Sequence, residues 1–470
     1  MNIDQIYTGC LAQGAYYIEN NGEAVIIDPL REVQPYIDRA NKDGAKIKYI
    51  LETHFHADFV SGHLTLAEKT GAQIVYGPTA RPNFRAHIAA DGEELKVGKL
   101  TIKVLHTPGH TMESSTYLLL NENGKEHSIY SGDTLFLGDV GRPDLAQKAA
   151  DMTQEELAGM LFDSLRTKIM PLPDELIVYP GHGAGSACGK NMMKETVDTL
   201  GNQKKVNYAL RADMTKTEFV KEVTDGLLPP PVYFPQNVKL NKEGYSSIDE
   251  VLAQGSRALE AEAFELEVEL NEAIVLDVRS EAEYSRSHIP GSIFIGIDGD
   301  FAPWVGSVIG DVKQSILLVC PGGREEETIT RLARVGFDKV LGYLKGAMQA
   351  WEKAGKETDS LESLKATEAH IKWEQESSPI IDVRKDGEYS SEHIDGALNI
   401  PLNYINERMA EFPQEQKFYL HCAGGYRSVI AASILKSRGY HDLVNIEGGF
   451  TAIKETAFPT TDYVCPSTLK

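Results

Sequence analysis

Thr53-His54-Phe55-His56-Ala57-Asp58-Phe59 decides the reading of this chain. Two histidines at i and i+2, with an aspartate two further on, form a metal-ligand spacing. Two such imidazoles can face one ion where the segment leaves a strand and enters a tight loop. The preceding Ile47-Lys48-Tyr49-Ile50-Leu51-Glu52 predicts that strand. Single ligand-type residues then recur after apolar runs: His110 in Thr107-Pro108-Gly109-His110-Thr111, Asp133 in Tyr130-Ser131-Gly132-Asp133-Thr134, and His182 in Tyr179-Pro180-Gly181-His182-Gly183. Each follows a glycine, which lets the backbone turn tightly and aim the side chain at the strand end. One histidine in a glycine-rich turn is usually structural. Four such elements in this order point to a metal. His63 is different: it opens the helix after the metal loop and reads as structural or capping.

The 470 residues allow two to four domains. Apolar content of 42% and charged content of 25% are those of a soluble globular protein. No apolar run approaches a membrane span, and Met1-Asn2-Ile3-Asp4-Gln5 does not open a signal peptide, so no membrane partner is expected. A formal charge of −22 argues against nucleic acid, whose phosphates need a basic surface. The five cysteines (Cys10, Cys188, Cys320, Cys422 and Cys465) are sparse, odd in number and outside any CxxC spacing. They indicate a reducing compartment, hence a cytoplasmic protein. A metal would then be held mainly by histidine and carboxylate.

Residues 1–240 alternate short apolar strands, such as Ala24-Val25-Ile26-Ile27, with polar loops and helical patterns such as Thr153 to Lys168. Leu228-Pro229-Pro230-Pro231-Val232-Tyr233-Phe234-Pro235 closes this region, as a stiff connector or as an ordered strap on the first domain. Two further domains, 241–360 and 361–470, are marked by an internal repeat. Ile274-Val275-Leu276-Asp277-Val278-Arg279 matches Pro379-Ile380-Ile381-Asp382-Val383-Arg384, and His288-Ile289-Pro290-Gly291 matches His393-Ile394-Asp395-Gly396, at a constant offset of 105. Each copy has the rhythm of a parallel sheet with helices on both faces.

The HxHxD, PGH, GD, PGH order resembles the metallo-β-lactamase fold. The Thr-His-Phe-His-Ala-Asp-Phe-Val-Ser-Gly-His form, with Gly-Asp-Val-Gly-Arg-Pro-Asp-Leu from Gly138, resembles its persulfide dioxygenase branch. The implied architecture is α/β multidomain: an αββα metallo-β-lactamase fold followed by two rhodanese-like α/β domains. Two-metal hydrolases of this fold carry a histidine where this chain has Phe59, so one metal is expected. The resemblance assigns one Fe(II) in the N-terminal domain to His54, His110 and Asp133, a face that leaves positions for a persulfide sulfur and dioxygen. His56, Asp58 and His182 would then orient ligands and water, or serve as alternative ligands. The spacing alone makes His56 a ligand.

Three neighbours of this site carry open readings. Cys188 either meets a sulfur substrate, with Lys190 helping to keep it ionised, or is a small buried residue of a glycine-rich loop. Arg142 either binds a substrate carboxylate or phosphate with its fork, or forms an ion pair with Asp144 or a neighbour.

The second repeat carries His421-Cys422-Ala423-Gly424-Gly425-Tyr426-Arg427-Ser428, a strand end, a glycine-containing loop and a helix start. Such a loop directs several backbone N–H groups at one point and stabilises a thiolate or persulfide, with Arg427 adding charge. Together with Asp382-Val383-Arg384 this resembles a rhodanese sulfurtransferase, with Cys422 as the sulfur carrier. Aligning Arg324 with Arg427 places Val319 at the catalytic position and Cys320 one later, and Glu325-Glu326-Glu327 follow, so the first repeat reads as inactive.

The resemblance implies a persulfide dioxygenase that converts a low-molecular-weight thiol persulfide, O2 and water to thiol and sulfite. Its fused sulfurtransferase would use that sulfite to make thiosulfate, in sulfide detoxification. The rivals are a dizinc thioester hydrolase of the glyoxalase II type and a sulfur-carrier or persulfide-sensing scaffold. The thiol carrier is not legible. A homo-oligomer is compatible with a large enzyme of this kind.

Overall fold

The computed structural model describes residues 1–465. Among these no helix is long and apolar enough to cross a membrane. Met1–Ile248 form the body of one compact unit, and a second holds Asp249–Leu332 and the chain from Phe337 onward.

In the first unit two six-stranded sheets face each other. Strict alternation along the strands builds the layers. In Gln13–Asn20, Tyr16 and Ile18 turn inward while Ala15 and Tyr17 turn outward; in Glu23–Ile27, Val25 and Ile27 turn inward while Ala24 and Ile26 turn outward. The inward set meets Val97, Ile102, Val104, Tyr117 and Leu119 of the second sheet. The outward set packs under Val33, Tyr36, Ala40 and Leu66 of the first helices. The second sheet's other face carries Leu118, Ile129 and Val178 against Ala158, Leu161 and Phe219. Two inward-facing apolar sets and two helical covers give the αββα order, because a strand's side chains alternate between faces.

The proline run belongs to this unit as a strap. Tyr233 and Phe234 are buried, and the helix Phe234–Glu243 begins with Pro235 in its first turn, where a missing N–H costs no hydrogen bond. Val238 of this helix packs on the first sheet's outer core.

The second unit holds two five-stranded parallel sheets of identical order. The first runs Ala258–Leu259, Val340–Leu344, Ile316–Val319, Ile274–Asp277, Ile293–Phe294; the second runs Ser363–Lys365, Leu443–Glu447, Phe418–His421, Ile380–Asp382, Leu398–Asn399. The repeated Asp-Val-Arg motif is an internal ion pair in both. Arg279 Nη2 lies 2.6 Å from Asp277 Oδ2 and Arg384 Nη2 lies 2.6 Å from Asp382 Oδ2, all four residues buried.

Sheet register corrects one alignment. Asp277 pairs with Val319 in the first repeat, and Asp382 pairs with His421 in the second. Val319 therefore matches His421, and Cys320, not Val319, stands where Cys422 stands. Aligning on Arg324 fails because the loop between strand and helix is not fixed in length by any hydrophobic pattern.

Candidate metal centre and sulfur-transfer loop

The strand Lys46–Leu51 delivers Thr53 and His54 to the rim of the sheets. Asp28, at the end of the neighbouring strand, accepts from the Thr53 backbone N–H (2.8 Å) and from Thr53 Oγ1 (2.9 Å). The Thr53 proton is thereby committed to Asp28. Its hydroxyl oxygen, 2.9 Å from His54 Nδ1, accepts from that ring nitrogen. His110 Nδ1 donates to the Arg142 carbonyl at 2.9 Å. Both histidines thus hold their proton on Nδ1 and present a bare Nε2, the arrangement in which a ligating imidazole is oriented through its other nitrogen.

The two Nε2 atoms lie 3.8 Å (His54) and 3.4 Å (His110) from Asp133 Oδ2, which is buried and has no hydrogen-bond partner. Ligand atoms each ~2.1 Å from one ion sit roughly 3–3.5 Å apart. A buried carboxylate oxygen without a hydrogen bond, facing two imidazole lone pairs, is a donor set that fits a metal ion. Burial and the neighbouring His56 keep His54 neutral, well below the ordinary histidine range. Burial opposes ionisation of Asp133, but His182 and His54 outweigh it and hold the carboxyl well below the usual range.

His182 sits between two carboxylates. Its Nδ1 donates to Asp133 Oδ1 at 2.8 Å and its Nε2 lies 2.7 Å from Asp58 Oδ2. Burial alone would depress its pKa; Asp133 and Asp58 push it well up instead. His182 thus stands between the two aspartates, one on each ring nitrogen.

His56 turns its Nε2 toward Asp28 Oδ1 (3.1 Å) and Glu52 Oε2 (3.5 Å), leaving Nδ1 buried without a partner. Phe59 is fully buried, its ring centroid 4.3 Å from that of His56 and 6.4 Å from that of His182. An apolar ring thus occupies the position from which a second metal would take a nitrogen.

The glycines act in two ways. Gly109 and Gly132 take positive φ (142° and 50°), which an L side chain rarely adopts. Gly181 does not; it is required because a Cβ there would fall 2.6 Å from Asp133 Oδ1.

Cys188 lies with Asp58 and His182, their ligand-type atoms all within 4.8 Å of one another. Burial, then the charges of Asp58 and Asp133, push its thiol well up. The expectation that Lys190 keeps it ionised is not met: Lys190 Nζ donates to the carbonyls of Glu222 (2.7 Å) and Asp225 (2.8 Å). Arg142 spans Asp144 with both arms of its fork at 2.7 Å and also donates to the Leu228 carbonyl. The Arg142 backbone, through its carbonyl, is what reaches the metal ligand.

Three positioning residues were not read from the sequence. Asp28 and Glu52 are buried acids flanking His56; burial and the Asp28 charge push the Glu52 carboxyl well up. Asn241 Nδ2 donates to the carbonyls of His56 and Phe59 (2.8 Å each), and its Oδ1 accepts from the Ser61 N–H (2.9 Å). Buried acids at strand ends offered a signal for the first two. Nothing in the spacing links Asn241 to a loop so far away in sequence. His63 is buried beside Phe84, with ring centroids 5.0 Å apart.

In the second unit Cys422 follows the strand Phe418–His421, and its Sγ accepts the Gly425 N–H at 3.1 Å at the start of the helix Tyr426–Ser437. Arg427 does not extend freely toward the loop. Its guanidinium grips Glu388 at 2.7 and 2.8 Å, so its charge is compensated. Cys320 in the first repeat meets the helix Glu325–Arg334 that follows its loop. Its Sγ contacts Thr328 Oγ1 at 3.7 Å, and burial pushes the thiol up to about 12.

With this geometry in hand, the comparisons are specific. Residues 8–182 match the metallo-beta-lactamase superfamily, and residues 260–354 and 363–456 each match a rhodanese-like domain. Human mitochondrial persulfide dioxygenase ETHE1 is 30% identical over 212 residues, which cover 44% of this chain and 74% of that protein. The chain belongs to the metallo-beta-lactamase superfamily. Within that superfamily it is a fusion: a domain with persulfide dioxygenase homologues followed by two rhodanese-like domains. A probable hydroxyacylglutathione hydrolase of Schizosaccharomyces pombe is 32% identical over 167 residues, 35% of this chain, and the chain spans 60% of that protein's length. A crystal structure of a metallo-beta-lactamase from Staphylococcus aureus is 32% identical with a TM-score of 0.64, covering 73% of this chain and 99% of that one.

Proposed function

We propose that the N-terminal domain is a mononuclear Fe(II) thiol-persulfide dioxygenase, forming thiol and sulfite from persulfide, O2 and water. The C-terminal repeat would transfer a sulfane sulfur through Cys422 and make thiosulfate from that sulfite. The observation that carries this reading is the pairing of a three-atom His54–His110–Asp133 face with Phe59. His54, His110 and Asp133 give one ion a facial set, while beside the Asp58, His182 and Cys188 group Phe59 contributes no ligand atom. A two-histidine, one-carboxylate iron site supplies dioxygen activation beside a bound substrate.

The chain's own residues set the rest. Thr53 and the Arg142 carbonyl hold His54 and His110 in one tautomer. His182 links Asp133 and Asp58, one through each ring nitrogen, and so positions both carboxylates. Cys188 is neutral and buried, so it lines the site as a thiol. In the second unit the Gly425 N–H directs its dipole at the Cys422 sulfur, which favours an anionic sulfur. Fusion keeps sulfite near the second site and raises its effective concentration. The proposed setting is cytoplasmic sulfide and persulfide clearance.

A second reading is a dizinc thioester hydrolase, favoured by the hydrolase relative of similar identity. It needs a hydroxide held between two metals, and Phe59 offers the second metal no ligand. Metal analysis with oxygen uptake on a panel of thiol persulfides separates the two. One iron per chain with oxygen uptake supports the proposal. Two zinc per chain with thioester hydrolysis and no oxygen uptake sinks it.

A further inference from the structure

The first rhodanese-like repeat has its cysteine turned inward, yet it touches the other repeat's sulfur loop directly. Tyr426, the first residue of the helix after that loop, donates its hydroxyl to the Gly296 carbonyl of the first repeat at 2.7 Å. Its ring lies on the backbone of Gly296 and Gly299. A Cβ on Gly299 would fall 2.4 Å from the ring, and one on Gly296 3.2 Å from it. Neither glycine has positive φ, so backbone conformation does not demand glycine at either place. At Gly299 the tyrosine ring demands it; at Gly296 the ring shares that role with Phe294 and the Arg279 carbonyl.

The repeat itself supplies a control. At the constant offset of 105, Gly296 and Gly299 correspond to Pro401 and Tyr404. The glycine pair is thus not a property of the repeated fold; it occurs only where Tyr426 lands. The glycine loop is held from its own side by Arg331 Nη1, which donates to the Ile297 carbonyl at 2.7 Å. Nearby, the Phe294 N–H donates to Ser433 Oγ at 2.9 Å, on the same helix as Tyr426. The first repeat therefore holds that helix at its first residue and again two turns later.

Tyr426 sits between Gly425 and Arg427. Gly425 gives its N–H to Cys422 Sγ, and Arg427 pairs with Glu388. A shift of Tyr426 carries the Gly425 amide with it. We propose that the first repeat is a positioning element for the Cys422 site, clamping Tyr426 between the Gly296 carbonyl and Gly299 so that the loop amides stay aimed at the sulfur. This rests on the reading of Cys422 as the sulfur carrier.

The test uses the full chain, with thiosulfate as donor and cyanide as acceptor, and Tyr426→Phe, Gly299→Val and Cys422→Ser as variants. Tyr426→Phe keeps the ring and loses only the hydroxyl bond. An interaction that acts on the transferring sulfur lowers kcat and kcat/KM together, so kcat is expected to fall about tenfold with the KM for thiosulfate unchanged. Thermal midpoint and N-terminal oxygen uptake should match wild type. Gly299→Val should lose more, and should cost nothing further when combined with Tyr426→Ala, which makes room for it. A wild-type kcat in Tyr426→Phe overturns the clamp, whatever Gly299→Val does. A kcat loss matched by a lower midpoint and lower oxygen uptake also overturns it, as a general folding defect. If wild type transfers no sulfur, or Cys422→Ser still does, the Cys422 reading fails instead. The clamp is then read by amide hydrogen exchange at Gly424–Arg427, which must quicken in Tyr426→Phe for it to stand.

Discussion

The Phe59 ring lies 4.3 Å from the His56 ring and is fully buried, so an apolar side chain stands beside the His56 and His182 rings. Phe59→His offers a nitrogen of similar shape beside His56, Asp58 and His182. Protein produced with excess zinc should then hold two metals per chain instead of one, and oxygen uptake with persulfide should fall at least tenfold as the iron face is lost to a bridged pair. Inductively coupled plasma analysis reads the stoichiometry. A variant that still binds one metal would show that Phe59 does not set the count.

Asn241 joins three backbone groups of the metal loop: the carbonyls of His56 and Phe59 and the amide of Ser61. Asn241→Leu keeps the volume and leaves those groups buried and unpaired. The cost should be about 2 kcal/mol or more. A drop of several degrees in the thermal midpoint of the first unit is expected, with faster release of iron to a chelator. Asn241→Asp, which keeps the acceptor for Ser61 but not the donors, should fall between. Unchanged release in Asn241→Leu would mean the loop is held by other contacts.

How much of this could be read from the chain follows from what pattern carries. His54, His110, Asp133 and His182 each end a strand of visible apolar periodicity and follow a turn residue or glycine, so their convergence at one rim is written in order and spacing. The αββα layering and the repeated parallel sheets follow from the same alternation. Asn241 was not legible, because its partner His56 is 185 residues away and a buried asparagine in a helix has no local signature. The alignment of Cys320 with Cys422 was missed because a loop's length is invisible to periodicity and appears only in the pairing of Asp277 with Val319. The partners of Arg142 and Lys190 were likewise tertiary facts: each charged head is taken up by carboxylate or carbonyl oxygens from elsewhere in the unit.

Cys320 and Cys422 occupy the same place in their sheets but differ in what their sulfurs meet. The Cys320 thiol is buried against Thr328, and burial pushes it up to about 12, so almost none is thiolate at pH 8. Cys422 faces a loop N–H. Mild treatment with iodoacetamide at pH 8, followed by peptide mass mapping, should label Cys422 at least tenfold faster than Cys320. Cys320→Ser should leave sulfur transfer within a factor of about two. Comparable labelling of both cysteines, or loss of transfer in Cys320→Ser, would give the first repeat a chemistry of its own.

His63 sets an acid limit on the first unit. It is fully buried between Phe84 and Tyr245, with ring centroids 5.0 and 5.5 Å away, and neither ring nitrogen has a hydrogen bond. Burial, then His56 and Arg31, lower its pKa to about 3. In the unfolded chain the same ring titrates near 6.5. Between about pH 6.5 and 3 the unfolded state therefore binds a proton that the native state does not, so stability falls as pH falls, by up to ~1.4 kcal/mol per pH unit. His63→Phe keeps a ring between Phe84 and Tyr245, beside the Glu52 carboxyl 3.6 Å from His63 Nδ1, and removes the titration. The variant should match wild type at pH 7.5 and lose less stability between pH 6.5 and 4. His54 and His127 of the same unit, and His288 and His421 of the other, are also lowered by burial and stay titratable in both proteins. Amide hydrogen exchange along the helix His63–Thr70 separates the contributions, and it should quicken on acidification in wild type but not in His63→Phe. Equal acid sensitivity in both proteins would remove His63 as the cause.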